Sequence, residues 1–104
     1  MSIERRASAG WAVHPGDILK HEFLKPMGIS GYSLAKSLGV TAQRVSDIMT
    51  RKSGISADMA TLLAAFFGTS PEFWMNLQSA FALGSVGKKI RNKAKRIKPH
   101  AAVA

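Results

Sequence analysis

Between Tyr32 and Thr50 the chain reads YSLAKSLGVTAQRVSDIMT, and this stretch constrains the fold more than any other. Leu34, Ala35 and Leu38 fall at i, i+1 and i+4, and Val45, Ile48 and Met49 at i, i+3 and i+4, so each run gives one apolar helical face. Gly39 separates them, where a left-handed cap meets no Cβ clash. Two short helices hinged there can close on one small core, with Val40 plugging the turn. The pattern is that of a helix-turn-helix, although the same spacing also suits an αα-hairpin with a merely solvated outer face.

The second helix carries the chemistry. Thr41 is a good N-cap, and the start of a helix favours a phosphate because its N–H groups point outward unpaired. Ala42, Gln43, Arg44, Ser46, Asp47 and Thr50 lie off the Val45/Ile48/Met49 stripe and are mostly polar. Gln can pair with adenine, Arg with guanine, and Asp can accept from cytosine, which suits such side chains to reading base edges in a groove. The base-contact candidates are Ala42, Gln43, Arg44, Ser46 and Asp47, and Thr41 and Thr50 are phosphate candidates at the two ends of the helix.

Charge alone does not identify that partner. The 104 residues carry a net charge of +9, but residues 1–84 hold eight basic side chains against six acidic ones. The other seven, Lys88, Lys89, Arg91, Lys93, Lys95, Arg96 and Lys98, lie beyond Gly87 with no acid among them. Such a run attracts any polyanion. Absence of cysteine excludes disulfides, thiolate metal sites and a cysteine nucleophile. No segment approaches the ~18 apolar residues of a membrane span and MSIERRASAG has no signal-like apolar run, so a cytoplasmic location with no membrane partner is expected.

Five helices fit between Gly28, Gly39, Gly54, Gly68 and Gly84. The first starts near Pro15, carries Ile18, Leu19, Phe23 and Leu24, and is expected to stop at Pro26. The helix-turn-helix pair follows, with Ser30 capping its first member. A fourth helix after Ser56 stacks Met59, Leu62, Leu63, Phe66 and Phe67. The fifth opens on Ser70-Pro71-Glu72, a cap, a proline and an acid in the first turn. Along it Phe73 and Leu77 are expected inward and Trp74 and Phe81 toward a partner, and Trp74, Leu77 and Phe81 form the expected dimer interface. Ile90, Ala94 and Ile97 could make the basic tail helical on binding, but its small apolar area predicts a flexible segment in isolation. The expected organisation is a flexible segment 1–12, an all-α five-helix domain over 13–84 and a basic tail over 85–104. Trp11 is expected to pack on the domain or on another chain.

With this order in hand, the chain resembles the HigA group of antitoxins, also called VapI-like or addiction-module antidote proteins, within the XRE/Cro-like, lambda-repressor-like class. The resemblance covers about residues 12–82 and rests on His14-Pro15-Gly16-Asp17-Ile18-Leu19, Glu22-Phe23-Leu24 and Pro26, then Leu34-Ala35-Lys36 and Leu38-Gly39-Val40. Its most specific block is Gly68-Thr69-Ser70-Pro71-Glu72-Phe73-Trp74 with Asn76-Leu77-Gln78. It implies a homodimeric repressor that binds a palindromic operator upstream of its own operon and neutralises a HigB-like toxin resembling the RelE ribonucleases. It also implies a recognition helix over 41–50, with Gln43, Arg44, Ser46 and Asp47 nearest the bases and Thr41, Arg51 and Lys52 on phosphates. Two positions depart from the family pattern: Gly31 stands where many relatives carry Gln, and Arg51 where Gly often follows the recognition helix.

His21-Glu22 begins like the zinc-protease HExxH, but residue 25 is Lys, so no metal site is expected; His14 reads as a solvated or capping side chain. No Ser/His/acid set commits to catalysis, and neither cofactor nor small-molecule substrate is expected. Two other functions compete: a stand-alone XRE-family regulator without a toxin, and a scaffold that binds polyanions through its basic tail.

Overall fold

A computed structural model describes residues 13–100, and every regular element in that range is helical. The expectations for residues 1–12, Trp11 included, lie outside the described residues. The first helical rod, α1, begins at Pro15–Ile18, passes through a π-helical stretch Leu19–Leu24 and ends with Lys25–Met27. Then follow α2 (Gly31–Leu38), α3 (Ala42–Met49), α4 (Ala57–Phe67), α5 (Pro71–Gly84) and α6 (Lys88–Lys95).

Local chemistry sets most boundaries. Ser30, Thr41, Ser56 and Ser70 each accept from the N–H three residues on, at 3.0 to 3.2 Å. At the hinge Gly39 adopts φ 72°, and Val40 N–H reaches the Ala35 carbonyl at 3.1 Å, closing α2 before Thr41 opens α3.

The end of α1 differs from expectation. Pro26 does not stop the rod, because the preceding turn is widened: Lys25 N–H bonds to the Lys20 carbonyl five residues back. A π-turn makes room for a proline ring that would press on the carbonyl four residues back in a tighter α-helix. The rod closes at Gly28 instead, in the left-handed region with φ 66°.

The core gathers Ile18, Leu19, Leu24, Leu34, Ala35, Val45, Ile48, Ile55, Met59, Ala60, Leu63, Ala64, Trp74 and Leu77. Leu38, Met49, Leu62, Phe67 and Phe73 are half-buried around it, while Phe66, expected inward, is exposed. Trp74 has no exposed surface, and its ring packs 5.0 Å from Phe23 and 5.1 Å from Phe73 between centroids. Its Nε1–H donates to Thr69 Oγ1 at 2.8 Å, so the polar edge of the indole is satisfied inside the domain. Trp74 and Leu77 are therefore core, and their assignment to a dimer interface is corrected. A monomer this small needs its largest side chain for its own core. Phe81 is half-buried, edge-on to the His14 ring at 4.8 Å.

The basic extension contains a helix of its own. Lys88–Lys95 forms a helix, but none of its residues is buried. Lysine, arginine and alanine are good helix formers, and Lys93 and Lys95 sit in the last turn, where the helix dipole favours a cation.

Candidate nucleic-acid interface

α3 presents two different surfaces. Val45 and Ile48 are fully buried, and Met49 is half-buried against α2. Ala42, Gln43, Arg44 and Ser46 are exposed, and Asp47 is half-exposed. The hinge thus brings the five base-contact candidates onto one open face beginning at the N-terminal end of α3.

That face is not a set of independent arms. Gln43 Nε2 donates to Asp47 Oδ1 at 2.7 Å, a pair one helical turn apart that fixes the Gln43 amide with its carbonyl oxygen directed away from Asp47. Arg44 Nη2 donates to Ser56 Oγ at 3.2 Å, tying the guanidinium to the cap of α4. Both groups are partly preorganised, which lowers the entropy lost when they engage a base. Thr41 Oγ1 accepts from Arg44 N–H, and its hydroxyl proton remains available for an anion at the helix start.

The phosphate candidates at the other end of α3 divide. Lys52 is exposed. Thr50 Oγ1 donates back to the Ser46 carbonyl at 2.8 Å, so its one hydroxyl donor is already engaged within the helix. Arg51 takes φ 65°, unusual for a residue with a Cβ, and occupies the left-handed position that ends the helix. Arg51 N–H bonds to the Ile48 carbonyl and Lys52 N–H to the Asp47 carbonyl, the two bonds of a Schellman closure. Its guanidinium is engaged as well: Nε and Nη2 reach the two carboxylate oxygens of Asp17 at 3.2 and 2.6 Å. That contact takes the edge a phosphate would use, so Arg51 closes and positions α3 before it contacts anything else.

Asp17 is one of four consecutive residues that brace this corner. His14 caps α1, its Nδ1 accepting from Gly16 N–H at 2.9 Å. The imidazole is buried rather than solvated, and it donates to the Ser53 backbone. Accepting at one nitrogen and donating at the other requires the neutral ring. Burial, the largest cause, pushes the His14 pKa below its ordinary value; Arg51 adds to the depression, while Asp17 and the Ser53 bond oppose it. Pro15 is buried at the first helical position. Gly16 lies against α3 so closely that an added Cβ would sit 1.9 Å from the Ile48 carbonyl oxygen.

A second brace comes from α5. Gln78 Oε1 accepts from Ile55 N–H at 2.7 Å, and a Cβ on Gly54 would collide with the Gln78 amide at 2.3 Å. Gly54 is thus needed for side-chain approach, not for ending a helix, and Arg51 takes the left-handed position instead. In the sequence His14–Leu19 and Asn76–Gln78 stand out as blocks, but nothing there gives Gly16, Asp17 or Gln78 a role at α3. The clue was that both blocks place polar side chains, Asp17 and Gln78, among core positions where a plain core helix needs none. Gly31 has a similar reason: a Cβ there would meet Met49 Sδ at 2.9 Å, so a larger side chain needs the Met49 thioether to shift.

Among the described residues no group of three His, Asp or Glu could hold a metal ion, and no helix is long and apolar enough to cross a membrane.

Comparison with known proteins agrees with this geometry. A helix-turn-helix family matches residues 21–74, from the middle of α1 to the buried tryptophan of α5. Virulence-associated protein I of Dichelobacter nodosus is 43% identical over 83 residues, covering 80% of this chain and 77% of that protein. Antitoxin HigA-1 of Vibrio cholerae serotype O1 is 40% identical over 87 residues, covering 84% of this chain and 82% of its own length. The solved structure of the Pseudomonas aeruginosa antitoxin HigA with the higBA promoter superposes with a TM-score of 0.80 at 43% identity, over 86% of this chain and 98% of that one. A hinge at Gly39, a capped and open α3, and braces from His14–Asp17 and Gln78 are thus features of a chain that belongs to the helix-turn-helix family, in the group that contains the HigA antitoxins.

Proposed function

We propose that the protein is an antitoxin-type repressor: it binds double-stranded operator DNA upstream of its own operon and neutralises a HigB-like, RelE-type ribonuclease toxin in the cytoplasm. The observation that carries the DNA reading is the open face of α3, where Gln43, Arg44 and Asp47 are exposed or half-exposed while Val45 and Ile48 hold the helix on the core. The P. aeruginosa HigA structure with its promoter supports the operator as the ligand class, and the HigA relatives support the toxin partner.

In this reading the N-terminal half of α3 enters the major groove. Gln43 and Arg44 read base edges, Asp47 orients Gln43 and can accept from cytosine, and Ala42 and Ser46 lie alongside. Thr41 and Lys52 hold phosphates on either side. Thr50 and Arg51 act instead in closing the helix. A second copy places its own α3 about one turn of DNA away, ~34 Å, on an inverted repeat. Because Trp74 and Leu77 are core, the dimer seam uses other surface; Phe81 retains a half-exposed edge.

Electrophoretic shift with the DNA upstream of the gene tests the reading. The expected result is tight binding that outcompetes scrambled DNA of equal length at moderate salt. Equal affinity for both sequences would remove operator recognition. The toxin half is tested by the neighbouring reading frame and by co-purification with its product: a small, basic RelE-like protein is expected, and a lone gene would reduce the function to transcription regulation.

A further inference from the structure

The repressor reading leaves α6 without a task. Its eight residues, KKIRNKAK, hold five cations, Arg96 and Lys98 follow, and no acid occurs anywhere after Glu72. No residue of α6 is buried, and its side-chain tie to α5 is Arg91 Nη2 against the Gly84 carbonyl at 3.5 Å, the limit of a hydrogen bond. Like charges one turn apart, as at Lys89/Lys93 and Arg91/Lys95, repel along the helix. A partner dense in negative charge would relieve that repulsion.

Position narrows the partner. α5 carries α6, and Phe81 near the end of α5 packs edge-on against His14, whose ring bonds to the Ser53 backbone beside Lys52. α6 therefore springs from the end of α5 that touches the corner closing α3. It begins seven residues beyond Phe81 and spans about 12 Å, a length over which duplex DNA presents about seven phosphate charges. Its apolar side is small. Ile90 and Ile97 are 57% and 66% exposed, with Ala94 between them, far less than the ~800 Å² each partner contributes to a stable protein interface.

Resting on the DNA reading above, we propose that α6, with Arg96 and Lys98, is a second and sequence-independent contact to the phosphate backbone flanking the bases that α3 reads. Base discrimination then resides in Gln43, Arg44 and Asp47, while a large share of the salt-dependent affinity resides in the extension.

The test is a fourfold variant of the full chain, Lys88→Gln, Lys89→Gln, Lys93→Gln and Lys95→Gln, at positions that support no core. Anisotropy is measured from 50 to 300 mM salt with two 40-base-pair duplexes, one from immediately upstream of the gene and one scrambled. The expected result is a loss of at least about tenfold on both duplexes at low salt, a log–log salt slope shallower by about three, and an unchanged ratio between the duplexes. Unchanged affinity and slope overturn the proposal, as does a collapse of the ratio, which would make α6 a reader of sequence. Vesicles containing phosphatidylserine form the other arm. Lysine-dependent binding to them, with DNA binding the same in both proteins, assigns α6 to a membrane surface and overturns the DNA contact. If the unsubstituted chain binds both duplexes equally, operator recognition fails, while a slope that still depends on the lysines upholds the phosphate contact.

Discussion

The two ends of α3 are held in opposite ways. At its N-terminal end the side-chain bonds are comparatively local: Thr41 caps it, Gln43 pairs with Asp47 one turn on, and Arg44 reaches Ser56. Its C-terminal end is clamped by residues far off in the chain, with Gly16 against the Ile48 carbonyl, Asp17 on Arg51, His14 on the Ser53 backbone and Gln78 on Ile55. A helix that must enter a groove can keep only one face and one end for its ligand, so fixing its angle falls to the other. The clamp and the open face are thereby separated along a helix of eight residues.

Substitutions of the residues that clamp α3 should therefore act on folding, and those of its exposed side chains and of Lys52 on binding. The largest expected effect is Gly16→Ala, whose methyl would overlap the Ile48 carbonyl. It should cost about 3 kcal/mol in urea unfolding, because backbone on both sides must move apart. A loss below about 0.5 kcal/mol would show that α1 can slide and that the clamp is loose.

Gln43→Ala or Arg44→Ala should cost about 1–3 kcal/mol in operator binding and relax sequence choice, with stability changed by less than about 0.5 kcal/mol. Lys52→Ala should weaken binding to all sequences alike and flatten the salt dependence by about one unit of slope. Equal scaling on operator and scrambled DNA by all three would move base reading away from the N-terminal half of α3. Gln78→Ala, which leaves the Ile55 N–H without its acceptor, should cost about 1–2 kcal/mol in urea unfolding and leave sequence preference intact.

The His14 effect is smaller and depends on pH. Its folded-state pKa is depressed, so as pH falls through the ordinary histidine value near 6.5 the unfolded chain takes up a proton that the folded chain resists. The contribution is present in full above that pH, is lost progressively below it, and levels off once the folded-state pKa is passed. Urea midpoints should fall on acidification from pH 7.5 to 5, and His14→Asn, which keeps a capping side chain without the titration, should flatten that part of the profile. Identical profiles would place the proton elsewhere. Arg51→Gly should change least: it relieves the left-handed strain and removes the Asp17 partner, two opposing effects. A slightly raised melting temperature is expected, and a large drop would mean that the ion pair outweighs the backbone preference.

Elements that depend on local chemistry were legible. The serine and threonine caps, the hinge at Gly39 and the apolar stripes of α2, α3 and α4 follow from residues within one or two turns of each other, so their pattern survives in a linear reading. Pro26 misled because its effect depends on the width of the preceding turn, which a π-helical stretch alters. Trp74 misled for another reason: an aromatic residue on an amphipathic helix can face a partner or the interior, and only the Phe23, Phe73 and Thr69 contacts decide which. Thr50 was expected at phosphate for its hydroxyl and Arg51 through the family resemblance, but the Thr50 hydroxyl and the Nε and Nη2 of Arg51 are bonded inside the chain.

By itself the sequence determined that helices would form, where most of them begin, and which side chains of α3 stay out of the core. Helix spacing and capping act over a few residues and are written directly in their order. Only the tertiary structure decided how α3 is aimed. Gly16, Asp17 and Gln78 are separated from it by about 30 residues of chain, and their effect arises from close approach and paired hydrogen bonds that exist only once the helices have packed.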